Sequence, residues 1–439
     1  MRGMSAEDGR IAPTKWVIEN ALQVLAIVIG TGVNLLAVYL LGLRAYGSIA
    51  VFLAVSMLIK CLVAIKTTPY ISTHLARQHA LSYDFHDLLT AALLVDFYIF
   101  FASLGLSGVF LILSAIDFLS WPIFGETKDD FVPFAVILFS SSGSIFAQTP
   151  RSILLALKKG NRIPLSAILE KVVLGTILLA THGALSAPVS YSLAYAASQL
   201  ALVLYLWGAV LRQIGSRNLM RFDRPRVDAG IMRSTWILPA YLATLSAAAI
   251  SNIPVVWLGT AFGTESAGRF RLASIVLNLA ASASSAYARF AVPEVGRRGS
   301  RCVRLRGLQS LCIASYVAGA GTYASVLGLF LGEVHASTLA LGLLFAGCLQ
   351  LLLAQQELEA WAAGRSSSPA LARVVQLFVL GGAAYATAEA VGGDWGVVIG
   401  HTLGAGGALW VLRTQSRAKP RDKVRPGESP LVDHGGHPG

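Results

Sequence analysis

Charge is scarce in this sequence. Lysine, arginine, aspartate and glutamate together make up 13% of its 439 residues, against about 25% in an ordinary soluble domain. That share excludes a water-soluble globular chain of this size. Cysteine is nearly absent: Cys61, Cys302, Cys312 and Cys348 lie far apart without paired spacing, so neither a disulfide framework nor a thiolate metal centre is indicated. There is no G-x-x-x-x-G-K-[ST] loop and no connection long enough to fold into a nucleotide-binding domain, which argues against direct ATP use. No Ser/His/Asp set or metal-ligand spacing stands out, and histidines such as His74, His79, His86 and His182 fall at segment ends or in loops. The chain therefore reads as a non-enzyme without a cofactor.

What is abundant is apolar. Hydrophobic residues make up 55% of the chain and the mean hydropathy is +0.64. They come in blocks of about 20 residues, the length that crosses a hydrocarbon core of about 30 Å. Runs such as "ALQVLAIVIGTGVNLLAVYLLG" (21–42) lack the alternation of a membrane barrel, so the spans must be helices. The expected fold is an all-α polytopic membrane protein with about twelve transmembrane helices. They are placed at 16–38, 46–68, 88–116, 131–157, 163–182, 188–211, 234–258, 267–292, 309–331, 336–361, 370–391 and 395–413. The first block is too long for a signal-peptide core and has no obvious cleavage pattern, so it is read as an uncleaved span.

The net charge of +12 is distributed unevenly. Lys158, Lys159 and Arg162 follow the fourth span. Arg212, Arg217, Arg221, Arg224, Arg226 and Arg233 follow the sixth, and Arg297, Arg298, Arg301, Arg304 and Arg306 the eighth. The intervening connections differ: "DFLSWPIFGETKDDF" (117–131) is net acidic, while "GEVHA" (332–336) and "GGDW" (392–395) hold no lysine or arginine. This is the positive-inside pattern, with both termini cytoplasmic. It accounts for the basic charge through topology and contact with anionic membrane lipids, with no need for nucleic acid.

The two halves resemble each other. "YLLGLRAYGSIAVFLAVS" (39–56) matches "VWLGTAFGTESAGRFRLASIVL" (256–277), with Gly47 and Gly268 opening the following span, and "AQTPRSILLALKKGNRIPLSA" (147–167) matches "AQQELEAWAAGRSSSPALA" (354–372). Six spans per half implies two pseudo-symmetric six-helix lobes as parallel repeats. The expected organisation is a cytoplasmic N-terminal segment (1–15), an N-lobe (16–211), a cytoplasmic linker (212–233), a C-lobe (234–413) and a disordered cytoplasmic tail (414–439).

Several spans carry polar residues on one face. With the eighth span taken as a helix, Asn278, Ser282, Ser285 and Arg289 all fall within about 40° of Arg271. Glu19, Gln23 and Asn34 share a face of the first span, Lys60 and Lys66 lie in the second, Arg151 in the fourth, and Glu170 with Lys171 in the fifth. Ionised residues within a span normally face a bundle interior or a wet cavity, although an arginine near an interface can instead snorkel, as expected for Arg269. Lys60, Lys66, Arg151, Lys171, Arg271 and Arg289 outnumber the nearby acids, so an anion is the missing partner and arginine the natural fork for phosphate oxygens. Arg151 with Glu170 is alternatively an ion pair joining two helices. Asp96, Glu357 and Glu359 are open between a coupling-ion site and local pairing.

At "LLGLRAYGSIAVFLAVSMLIKCLVAIKTTPYISTHLARQ" (40–78) the chain resembles the oligosaccharide-flippase (Wzx-type) branch of the multidrug/oligosaccharidyl-lipid/polysaccharide exporter superfamily. The shared feature is a Leu-Gly-x-x-x-Tyr-Gly turn, here Leu41 to Gly47, together with Val292-Pro293 and the Gly-basic turns near Gly160 and Gly364. The resemblance implies two lobes alternating access. It also implies movement of polyprenyl-pyrophosphate-linked oligosaccharide units across the bacterial inner membrane for O-antigen, capsule or exopolysaccharide assembly. The associated partners would be glycosyltransferases and a polysaccharide polymerase. The rival readings are a cation-coupled multidrug exporter, for which an acid-rich cavity is expected, an integral-membrane polymerase or ligase, for which a long exterior loop is expected, and a scaffold.

Overall fold

The computed structural model describes residues 13–63, 83–115, 131–156, 159, 161–214, 237–284, 306–362 and 367–418. Fourteen α-helices run through them. α1 is Pro13–Leu41, α2 Leu43–Val63, α3 Tyr83–Ala115, α4 Phe131–Gly143, α5 Gln148–Ala156, α6 Arg162–Thr181 and α7 Ala187–Ile214. α8 is Ile237–Ala261, α9 Thr264–Ala273, α10 residues 275–284, α11 Arg306–Phe330, α12 Val334–Ala362, α13 Ser367–Val391 and α14 Gly393–Ala418. Among the described residues, eleven of the twelve expected spans are helical segments long and apolar enough to cross a membrane. The chain is a multi-pass helical membrane protein.

The second span starts at Leu43 rather than 46, because Gly42 alone makes the turn from α1 at φ +79°. Gly263 does the same between α8 and α9 at φ +92°. Both are left-handed conformations that glycine adopts without steric cost.

Among the described residues two spans are broken, and at each break a side chain from another helix takes a backbone carbonyl. Between α4 and α5, Ser144–Ala147 form a 3-10 turn. Pro150 has no N–H to donate to the carbonyl four residues back. That carbonyl, on Phe146, instead accepts from the Trp207 indole N–H at 2.9 Å. The eighth span, expected as one helix, turns at Ser274 between α9 and α10. Ser274 Oγ bonds back to the Arg271 carbonyl at 2.8 Å, and the Leu272 carbonyl accepts from Tyr323 Oη on α11 at 3.0 Å. Inside a bilayer a freed carbonyl needs such a partner.

Helix packing repeats between the halves. α1 packs on α6 as α8 does on α13, α6 on α7 as α13 on α14, and α4 on α7 as α12 on α14. Likewise α2 packs on α4 as α9 does on α12, and α3 on α4 as α11 on α12. The main seam between the halves runs from α2 to α8 and α9. Along it lies the largest core cluster, including Tyr46, Ile49, Val51, Phe52, Leu258, Phe270 and Val276. The linker expected at 212–233 and the tail at 414–439 lie largely outside the described residues.

Candidate functional site: a cation-lined cavity

A cavity of about 780 Å³ opens inside the first half, against the eighth span. Each wall follows from helical spacing. From α2 come Tyr46, Ala50, Leu53, Met57 and Lys60, a stripe stepping by three or four residues. From the broken fourth span come Ser144, Gln148 and Arg151, and from α7 come Tyr191, Tyr195, Gln199 and Leu202. α1 supplies Asn34, and α6 supplies Glu170 and Lys171. The other half contributes Arg271 and Asn278, on either side of the Ser274 break.

Among the described residues the wall therefore holds four cations, Lys60, Arg151, Lys171 and Arg271, against one carboxylate, Glu170. Lys60 Nζ donates to Ser144 Oγ at 2.5 Å, and that hydroxyl donates to the Ser141 carbonyl at 2.6 Å. The 3-10 turn thus aims a neutral acceptor at the lysine. Arg151 Nε is buried without a hydrogen-bond partner among the described residues. Glu170 Oε1 accepts from Lys171 Nζ at 2.9 Å and from Gln199 Nε2 at 3.2 Å. The helix-joining pair considered for Arg151 and Glu170 is not the one formed: Glu170 pairs with its own neighbour on α6.

Six of the residues singled out in the sequence meet here: Lys60, Arg151, Lys171, Arg271, Asn34 and Asn278. Gln23 and Ser282 are described and stand outside the cavity wall. The side chain of Glu19, and Lys66, Ser285 and Arg289, lie outside the described residues. Arg269 pairs with Glu265 one turn away on α9, rather than standing alone at an interface.

The three carboxylates left open have three different settings. Glu357, on α12, forms a two-pronged ion pair with Arg373 on α13, at 2.5 Å from Nε and 2.8 Å from Nη2. Arg373 also donates to Gln350 and Gln376, both at 3.0 Å. Of the two settings open for Glu357, local pairing is the one observed, and the pair clamps α12 to α13. Glu359 is exposed and accepts from Gln355 at 3.1 Å; it stands outside the cavity wall. Asp96 is 1% exposed; its carboxylate lies beside Thr149, with neither oxygen fully hydrogen-bonded among the described residues.

Sequence reading missed Tyr46, Gln148, Tyr191, Tyr195 and Gln199 on the cavity wall. For Tyr191, Tyr195 and Gln199 the i, i+4, i+8 spacing was an available signal. Arg373 was also missed.

No protein-family model matches the sequence, and no curated protein matches it. Solved structures do. An inward-facing multidrug resistance transporter of the MATE family, in the MOP superfamily, superposes with a TM-score of 0.62 at 17% identity, covering 92% of this chain and 100% of the other. The MATE multidrug transporter DinF-BH gives 0.61 at 14% identity, over 94% and 98%. The lipid II flippase MurJ, in an inward closed conformation, gives 0.60 at 12% identity, over 92% and 88%. The chain has the fold of MOP-superfamily transporters.

Proposed function

We propose that the protein is an alternating-access flippase or exporter whose cavity receives an anionic, diphosphate-bearing headgroup. Its cargo, on this reading, is a polyprenyl-pyrophosphate-linked oligosaccharide carried across the inner membrane. Both termini and the Lys60 end of α2 then face the cytoplasm, where such a lipid is made by glycosyltransferases; a polymerase uses it on the far side.

The observation that carries this reading is the sign of the cavity. Four cations and one carboxylate leave three net positive charges on the wall. Each charge held near the membrane centre costs at least about 2.5–3.5 kcal/mol on insertion scales, and an unneutralised cluster is retained where an anion completes it. Arg151 offers the planar fork suited to phosphate oxygens. Tyrosine, asparagine and glutamine on the same wall suit sugar hydroxyls and ring faces. Arg271, reaching in from the second half, would let a bound headgroup bear on both halves at once.

A second reading, a multidrug exporter, is favoured by the fold shared with multidrug transporters. Against it, a cationic drug would meet net repulsion from this wall. The two separate in proteoliposomes given a fluorescent glycan-bearing prenyl diphosphate or a lipophilic cation. The anionic reading expects movement of the diphosphate, lost in Lys60→Gln and Arg151→Gln. Movement of the cation alone would overturn it.

A further inference from the structure

Glu170 is the one carboxylate on the described cavity wall, and its bonding is unusual. Successive residues on a helix point about 100° apart and do not normally face each other. Here the Lys171 stem lies over α1, its Cγ 3.7 Å from where a Cβ on Gly30 would be, and its ammonium bends back to Glu170 at 2.9 Å. The pair itself ties no two helices together; the contact from Glu170 to another helix is the weaker one, from the neutral Gln199 amide on α7 at 3.2 Å. A pair serving packing would join Glu170 to Arg151 on α5. Instead Arg151 Nε has no partner among the described residues and Lys60 rests on a serine hydroxyl.

We propose that Glu170 is a resident stand-in for the cargo's negative charge. It holds Lys171 while the cavity is empty, an arriving diphosphate displaces it, and its return helps expel the headgroup. This rests on the anionic-cargo reading above and assigns Glu170 a positioning role that acts through Lys171. The consequence is opposite in sign to that of an ordinary binding residue. Neutralising Glu170 frees Lys171 and raises the net positive charge of the wall, so the anion binds more tightly and leaves more slowly.

The experiment is equilibrium binding of inorganic pyrophosphate to the purified full chain in detergent, paired with proteoliposome transport of a prenyl diphosphate. Glu170→Gln is expected to bind pyrophosphate about tenfold more tightly, with the gain shrinking as salt rises. In transport, KM and maximal rate fall together. Glu170→Asp keeps the charge on a shorter stem and is expected to tighten binding by a smaller factor, so it carries the test if Glu170→Gln does not fold. Binding unchanged or weakened in a folded Glu170 variant, while Lys60→Gln and Arg151→Gln lose it, overturns the role of Glu170 and leaves the cargo reading standing. No pyrophosphate binding by the wild-type chain overturns both.

Discussion

Gly47 and Gly268 pack backbone to backbone: a Cβ on Gly268 would lie 3.2 Å from the Gly47 Cα and 2.7 Å from the Leu43 carbonyl oxygen. A Cβ on Gly47 would lie 1.7 Å from the Thr264 carbonyl oxygen. The two glycines hold matching positions in the two halves of the sequence. In a molecule built from two related halves, equivalent residues that touch lie on the axis relating them. The α2–α9 seam is therefore where the halves meet on that axis, at the Gly42 end of the cavity.

Substituting alanine at either glycine must push α2 and α9 apart, because the obstruction is backbone and cannot rotate away. Gly47→Ala and Gly268→Ala are expected to lower the detergent unfolding temperature by several degrees. The control is Gly105→Ala on α3, where nothing lies within 4 Å; it should be neutral or stabilising by about 0.5–1 kcal/mol. Equal behaviour of all three in a thermal unfolding assay would refute the close contact.

The Arg373–Glu357 clamp makes a separate prediction about stability. The two side chains are 16% and 15% exposed. Removing one partner of a buried pair typically costs about 3–5 kcal/mol, whereas replacing both with apolar residues costs far less. Arg373→Leu and Glu357→Leu should each destabilise strongly, and the double variant by less than the sum. Additive losses in a double-mutant cycle would show that the pair does not act as a unit.

Asp96 forms no ion pair among the described residues and touches the start of α5, which carries Arg151. Asp96→Asn keeps its shape while removing the charge, so the protein should remain as stable as wild type or become more so. If the carboxylate carries a coupling proton or cation, transport by this variant ceases to respond to an imposed ion gradient. An unaltered gradient response, measured in proteoliposomes, would remove Asp96 from the coupling path.

Much of the membrane fold was legible because a span is announced by about 20 apolar residues wherever its neighbours lie. The broken eighth span was not. Nothing local to Ser274 forbids a helix; the turn depends on Tyr323 taking the Leu272 carbonyl from 51 positions away. The fourth-span break had a visible cause in Pro150, although its partner Trp207 could not be read from sequence. Lys60, Arg151, Lys171 and Arg271 could be singled out because a charge within a span must face something other than lipid. Arg373 escaped because an arginine near a helix end is ordinarily a snorkelling residue. The Glu170–Lys171 contact escaped because helical periodicity places consecutive residues on different faces.

The most direct measurement compares binding of two ligands to the purified protein: a short-chain prenyl diphosphate, and the same chain bearing a quaternary ammonium head. The diphosphate is expected to bind and the ammonium is not. Lys60→Gln and Arg151→Gln should each weaken diphosphate binding by about tenfold or more, with unfolding temperatures close to wild type. Preference for the ammonium head, or diphosphate binding indifferent to both substitutions, would contradict the anionic-cargo reading.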